Sequence, residues 1–265
     1  HMLQRYSTTQ INLPGTTDEN RLGSGEHPKN VTHQLTRTHP FYGKVIYEKD
    51  ITIPDNWNGK RMVLFMERTK PSTLWIDGDS IGSLGHIYAP HTYLLPELAG
   101  GRHHIKIRID NSKDAVPKEI QGSHAWTDGT QTNWNGILGD FHIEATPHTY
   151  IKDVQAYPSV KERKTAVILH INSSSEQNGT IKIESSSWNS ARTHTIPAIK
   201  EKVELNEGEN RIEMMLDMGE DMLTWSEFHP ALYRLNASLS TKDGKDNQII
   251  QFGMRDFATE GTQFT

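Results

Sequence analysis

Apolar residues recur at every second position along most of this chain. Ile105, Ile107 and Ile109 alternate with His104, Lys106 and Arg108; Val167, Leu169 and Ile171 alternate with Ala166, Ile168 and His170; Ile212, Met214, Leu216 and Met218 keep the same step. A period of two turns one face of an extended segment to a core and the other to water, so each run predicts a half-buried strand. Similar runs predict strands at 45–53, 62–66, 74–76, 137–143, 151–156, 181–183, 233–239 and 249–254. No stretch of about 12 residues holds a 3.6-residue period, the minimum a confident helix reading needs. The pattern predicts an all-β protein of many short strands.

Turn residues punctuate these runs. Asp77-Gly78, between Leu74-Trp75-Ile76 and Ile81, predicts a two-residue hairpin, because both positions tolerate positive φ. Asn58-Gly59, Ala99-Gly100-Gly101, Asn178-Gly179 and Asp243-Gly244 predict further turns. Asn206-Glu207-Gly208 is read as a hairpin turn between Val203-Glu204-Leu205 and Ile212. A strand ends at Glu144-Ala145 and another starts at Ile151, so a boundary is expected near Thr146-Pro147-His148-Thr149. The expected division is a first domain at 3–147, a second at 148–257 and a linker at 258–265. A length of 265 residues is ample for two such domains.

Composition narrows the function. The formal charge is −5 and no dense basic cluster exists, which argues against a nucleic-acid partner. No apolar run nears the roughly 20 residues that span a bilayer, so no membrane partner is expected. The absence of cysteine removes disulfides, thiolate nucleophiles and Cys-ligated zinc, and fits a periplasmic or secreted bacterial protein. The opening His1-Met2 reads as an expression-vector remnant, so a native leader is not visible. Assembly with a second copy of the chain is compatible with the sequence.

Candidate chemistry concentrates in Gly122–Asn135, which holds Trp126, Trp134, His124, Asp128, Gln131, Asn133 and Asn135 with few aliphatics. Planar polar side chains beside aromatic faces suit sugars, whose hydroxyls take paired hydrogen bonds while C–H faces pack on indole. An ordinary loop with Trp134 plugging the sandwich is the alternative. Fourteen histidines raise a metal question, but the adjacent pair His103-His104 would point to opposite sides of a strand, so no metal site and no cofactor are expected. Asn30, Asn172, Asn178 and Asn236 head glycosylation sequons, which carry no weight in so polar a β protein.

Segments spread in order along the chain resemble glycoside hydrolase family 2, the group of β-galactosidases, β-glucuronidases and β-mannosidases. They are Leu13–Glu19; Tyr47–Pro54 with Trp57-Asn58-Gly59-Lys60; Leu74–Gly78 with Ile81-Gly82; Ile107–Asn111; Asn133–Asp140; and, in the second half, Trp225–Tyr233 followed by Phe252-Gly253-Met254-Arg255. The resemblance implies a jelly-roll sugar-binding sandwich followed by an immunoglobulin-like sandwich. It implies an intact enzyme that hydrolyses a β-glycoside with retention on a barrel not included here, with that barrel as intramolecular partner and a carbohydrate as substrate. By position it implies substrate contacts for Asp128 and Asn133, then Gln131 and Asn111, with Trp134 beside them. No catalytic residue is expected within the chain. The family's acid sits in an Asn-Glu dipeptide, and Asn206-Glu207 matches only those two letters in a turn. Two rivals are a carbohydrate-binding module that acts alone and an adhesive or structural protein of repeated sandwiches.

Overall fold

The computed structural model describes residues 8–23 and 37–264, so the His1-Met2 remnant, the Asn30 sequon and the expected domain start at residue 3 lie outside the described residues. The chain separates into two compact units, His1–Ala145 and Thr146–Thr265. Apart from three single-turn 3-10 segments, all regular structure described is β. No helix among the described residues is long and apolar enough to cross a membrane.

The first unit holds β1 (Gly15–Thr16), β2 (Lys44–Ile53), β3 (Arg61–Thr69), β4 (Ser72–Ile76), β5 (Asp79–Leu84), β6 (His91–Leu94), β7 (Gly101–Asp110) and β8 (Gly136–Thr146). Two four-stranded sheets form, in the orders β1-β8-β3-β6 and β2-β7-β4-β5. The alternating residues meet between them: Ile105, Ile107 and Ile109 of β7 are buried, with Met62, Leu64 and Met66 of β3, Leu74 of β4 and Ile137 of β8. Each such side chain contributes about 1.5–3 kcal/mol of burial. The Asp77-Gly78 turn joins β4 to β5 with φ of 53° and 94°. The Asp77 carboxylate accepts from the His104 backbone at 2.7 Å and lies 2.6 Å from His103 Nδ1, which ties the hairpin to β7.

Inside this sandwich, fully buried His91 lies 2.6 Å through Nδ1 from Ser72 Oγ and 2.9 Å through Nε2 from the His86 carbonyl. With Nε2–H donating to that carbonyl, Nδ1 is left to accept from Ser72, and the ring is neutral. Burial lowers the pKa of His91 to about 4, although the His86 carbonyl favours the proton.

The second unit holds β9 (Tyr150–Ser159), β10 (Lys164–Ser173), β11 (Gln177–Ser187), β12 (Thr195–Leu205), β13 (Gly208–Asp217), β14 (Tyr233–Thr241), β15 (Gly244–Phe252), β16 (Thr259–Glu260) and β17 (Gln263–Phe264). Sheets β13-β10-β9 and β12-β11-β14-β15 make a three-plus-four sandwich, the strand count of a seven-stranded immunoglobulin-type domain. Its core is aliphatic: Val167, Leu169, Ile171, Ile181, Ile183, Leu216 and Leu235 among others. Tyr233 is fully buried at the start of β14; its hydroxyl accepts from Leu223 N at 2.8 Å and lies 2.7 Å from His194 Nδ1.

Three expectations change here. Asn178-Gly179 is no turn but part of β11, where a Cβ on Gly179 would lie only 3.3–3.4 Å from Leu239, Thr241 and Val203; the glycine makes room for packing. Asn206-Glu207 does not close a hairpin, because β12 and β13 belong to different sheets. It carries the chain from one sheet to the other, with Gly208 at φ 87° and Asn210 bonded to both backbone groups of Asn206. The segment read as a linker contains the small β16–β17 hairpin, turning at Gly261 with φ 61°.

Candidate functional site

The sequence-predicted residues gather at one end of the first sandwich, on the long excursion between β7 and β8. Its two feet are fixed by asparagines. Asn111, Asn133 and Asn135 are each fully buried. Asn111 accepts from Gly43 N at 3.0 Å and donates to the Phe41 carbonyl at 2.7 Å and to Asn133 Oδ1 at 3.2 Å. Asn135 donates to the carbonyls of Ile109 and Gly43, at 3.1 and 3.2 Å, and accepts from the Tyr47 hydroxyl at 2.9 Å. Buried amides need such partners, since an unmade bond there costs about 1–3 kcal/mol. Asn111 and Asn133 therefore hold the feet of the loop from inside the fold, without solvent exposure.

Glycine decides where the second foot lands. Gly136 opens β8 at φ 145°, and a Cβ there would collide with the Gly15 carbonyl of β1. Thr17 N donates to the Asn135 carbonyl at 2.9 Å and closes the same junction.

Between the feet, Thr127–Thr132 forms a closed turn. Thr132 N and Asn133 N both donate to the Thr127 carbonyl, at 3.0 and 3.1 Å, and Thr127 N donates to Thr132 Oγ1 at 2.8 Å. Gln131 sits half-buried in this turn at φ 58°, a conformation uncommon outside glycine. Asp128 is the expected site residue with the most open side chain, half exposed. Trp134 is partly buried, neither a full plug nor an open platform.

Three further residues shape the site. The Arg37 guanidinium, almost wholly buried, pairs with the Asp128 carboxylate and lies 5.5 Å from the centre of the Tyr42 ring. Tyr42 is 55% exposed, and its phenol is raised by burial first and then by the Asp128 charge. The Lys70 ammonium, at the end of β3, donates to the Thr132 carbonyl and lies 4.8 Å from the Trp134 ring centre. Burial, and then the Arg37 charge, lowers the Lys70 pKa to about 8. Among the described residues, Trp126 Nε1, Thr130 Oγ1 and Asn133 Nδ2 of the same loop are buried and find no hydrogen-bond partner. Sequence reasoning missed Arg37, Tyr42 and Lys70. The first two fall in a polar stretch with no period, and only the adjacent strand Met62–Met66 could have flagged a lysine at a strand end.

No group of three or more His, Cys, Asp or Glu among the described residues is placed to hold a metal ion. His103 and His104 instead pair with different carboxylates, Asp77 and Asp50. Glu207 is exposed in its inter-sheet turn. The loop thus leaves the Asp128 carboxylate, the half-buried Gln131 amide and parts of the Tyr42 and Trp134 rings accessible.

Residues 149–255 match the model of the glycosyl hydrolases family 2. Among solved structures, the chain is similar to a Bacteroides uniformis β-glucuronidase, at 17% identity and a TM-score of 0.69 over 97% of this chain and 30% of that one. It is similar to a family 2 β-galacturonidase from Eisenbergiella tayi, at 18% identity and a TM-score of 0.72 over 100% of this chain and 42% of that one. A Bacteroides vulgatus β-glycosidase gives 18% identity and a TM-score of 0.68 over 94% of this chain and 30% of that one. At these identities the likeness is one of fold. The chain spans 30% to 42% of the length of these enzymes. No curated protein sequence matches it.

Proposed function

We infer that this chain, whose residues 149–255 carry the glycosyl hydrolases family 2 domain, is the non-catalytic N-terminal part of a family 2 glycosidase. The observation that carries this reading is coverage: nearly all of the chain superimposes on 30% of a much longer enzyme. In the intact protein the first unit supplies one wall of the sugar pocket through the Gly122–Asn135 loop, and the second unit braces the catalytic barrel. Asp128 fits the wall best, because its half-exposed carboxylate is an acceptor already oriented by Arg37. Gln131 and Trp134, partly exposed on the same loop, flank it, while Asn111 and Asn133 set the loop's shape.

The intact enzyme hydrolyses a non-reducing-end β-glycoside with retention. That chemistry needs an acid and a nucleophile carboxyl about 5–5.5 Å apart, which this reading assigns to the barrel. The test compares two proteins on aryl β-glycosides: the 265-residue chain and the full-length product of its gene. Turnover by the full-length protein alone is expected. Turnover by the isolated chain, or none by the full-length protein on any aryl β-glycoside, overturns the assignment.

A further inference from the structure

Tyr42 lies just before β2, outside any strand, yet the backbone on both sides of it is held. The Phe41 carbonyl accepts from the Asn111 side-chain amide at 2.7 Å. The Gly43 carbonyl accepts from the Asn135 side-chain amide at 3.2 Å and from Asn111 N at 3.1 Å, and Gly43 N donates to Asn111 Oδ1 at 3.0 Å. Asn111 and Asn135 are the same buried residues that stand at the two feet of the loop carrying Asp128. One set of hydrogen bonds therefore places both Tyr42 and that loop.

The ring so placed turns one face outward. The Arg37 guanidinium lies over it, 5.5 Å from its centre. Arg37 is 8% exposed, so the face it covers is turned to the protein. A tyrosine that stays 55% exposed with one face covered has its other face open to solvent. Holding an aromatic ring still costs conformational freedom, and leaving it open forgoes burial, so folding alone gains little from this arrangement. The Asp128 carboxylate lies beside the phenol: after burial, its charge and a hydrogen bond are what raise the phenol's pKa. That carboxylate is itself half exposed, with Oδ1 taken by Arg37. An open ring face next to an oriented carboxylate can meet a sugar in two ways at once. The C–H bonds of the pyranose pack on the electron-rich ring, and adjacent hydroxyls donate to the carboxylate. Both groups are reached from solvent with the loop as it stands.

We propose that Tyr42 is the aromatic platform of the pocket wall: it packs on the C–H face of the pyranose ring whose hydroxyls reach Asp128, and so sets substrate affinity rather than the rate of bond cleavage. The proposal rests on the reading of the Gly122–Asn135 loop as a pocket wall. Arg37 is a positioning residue for both contacts, since it pairs with the carboxylate and backs the ring. Tyrosine suits the task because two χ angles define it, so little freedom is lost when a ligand binds. A flat face that meets the sugar alike before and during cleavage lowers KM and leaves kcat alone.

The test is steady-state kinetics of the full-length protein on p-nitrophenyl β-glucoside, galactoside, mannoside and glucuronide, using whichever is turned over fastest. Tyr42→Ala is expected to raise KM about tenfold, equivalent to about 1.4 kcal/mol, with kcat held within about twofold. Tyr42→Phe, which keeps the ring and loses only the hydroxyl, should recover most of the loss, with KM raised about threefold or less. A variant that merely misfolds lowers the active fraction, and hence kcat, without raising KM. Asp128→Ala, run beside them, should lower kcat/KM at least about tenfold, because a charged hydrogen-bond acceptor is lost. If Tyr42→Phe is as impaired as Tyr42→Ala, the contribution lies in the hydroxyl and the platform is overturned. If Tyr42→Ala leaves KM unchanged while Asp128→Ala is impaired, the platform is overturned and the pocket wall stands. If neither alanine variant changes KM or kcat, platform and pocket wall are overturned together.

Discussion

The two sandwiches share a strand class and differ in what they bury. The second unit fills its interior mainly with Ile, Val, Leu and Met, joined by Tyr233, whose hydroxyl is bonded, and by small hydroxyl side chains such as Thr165 and Ser173 rather than by amides or charges. The first unit has an aliphatic core of the same kind but also seals Asn111, Asn133, Asn135, Arg37 and Lys70 at its loop end. Dispersion and burial reward almost any well-fitting apolar shape. Buried amides reward one arrangement, because every missed partner is penalised. The second interior is built to be stable, whereas the loop end of the first gives up stability for a defined shape. A surface that must present groups to a ligand needs that definition.

The largest expected effect breaks the aliphatic side of the contrast. Leu169→Ala, in the centre of the second core, should cost about 3 kcal/mol in denaturant unfolding and leave the NMR signals of the loop at 122–135 unchanged. Next, Asn135→Ala should cost about 2 kcal/mol, because Tyr47, Ile109 and Gly43 lose a buried partner. It should also broaden the loop signals, as Leu169→Ala does not. If both variants disturb the loop alike, the distinction between the two interiors fails.

Acid sharpens the contrast further. His91 is neutral in the folded first unit with its pKa lowered to about 4, whereas an unfolded chain takes up that proton near 6.5. The unfolded state binds more protons between these values, so the contribution is whole above 6.5 and is lost as pH falls towards 4. About 1 kcal/mol should disappear between pH 7 and pH 5.5. His91→Gln should flatten that slope in thermal melts followed by first-unit signals. The smallest effect concerns Glu207: Glu207→Gln in the full-length protein should leave kcat and KM on an aryl β-glycoside unchanged, since the residue is exposed in an inter-sheet turn.

The fold class was legible because burial in a sandwich writes a period of two. Ile105, Ile107 and Ile109, and Val167, Leu169 and Ile171, are buried as their spacing predicts. β12 escaped because, as a sheet edge, most of its residues face solvent and little alternation survives. Gly179 misled because a glycine required for close packing looks the same in sequence as one required for a turn. In the loop, richness in amides was visible, but the division of labour was not. Which asparagine faces inward depends on Gly43, Phe41 and Ile109, far away in the chain. Arg37 and Asp128, 91 positions apart, left no local trace of their pairing.

The asparagine clasp has an evolutionary consequence. Asn111 and Asn135 bond mainly to backbone carbonyls and amides of the sandwich, so both ends of the excursion are anchored whatever lies between. The intervening stretch behaves as an exchangeable cassette. Its length and side chains are free to drift, or to be grafted from another member of the fold, while the frame that receives them keeps its register.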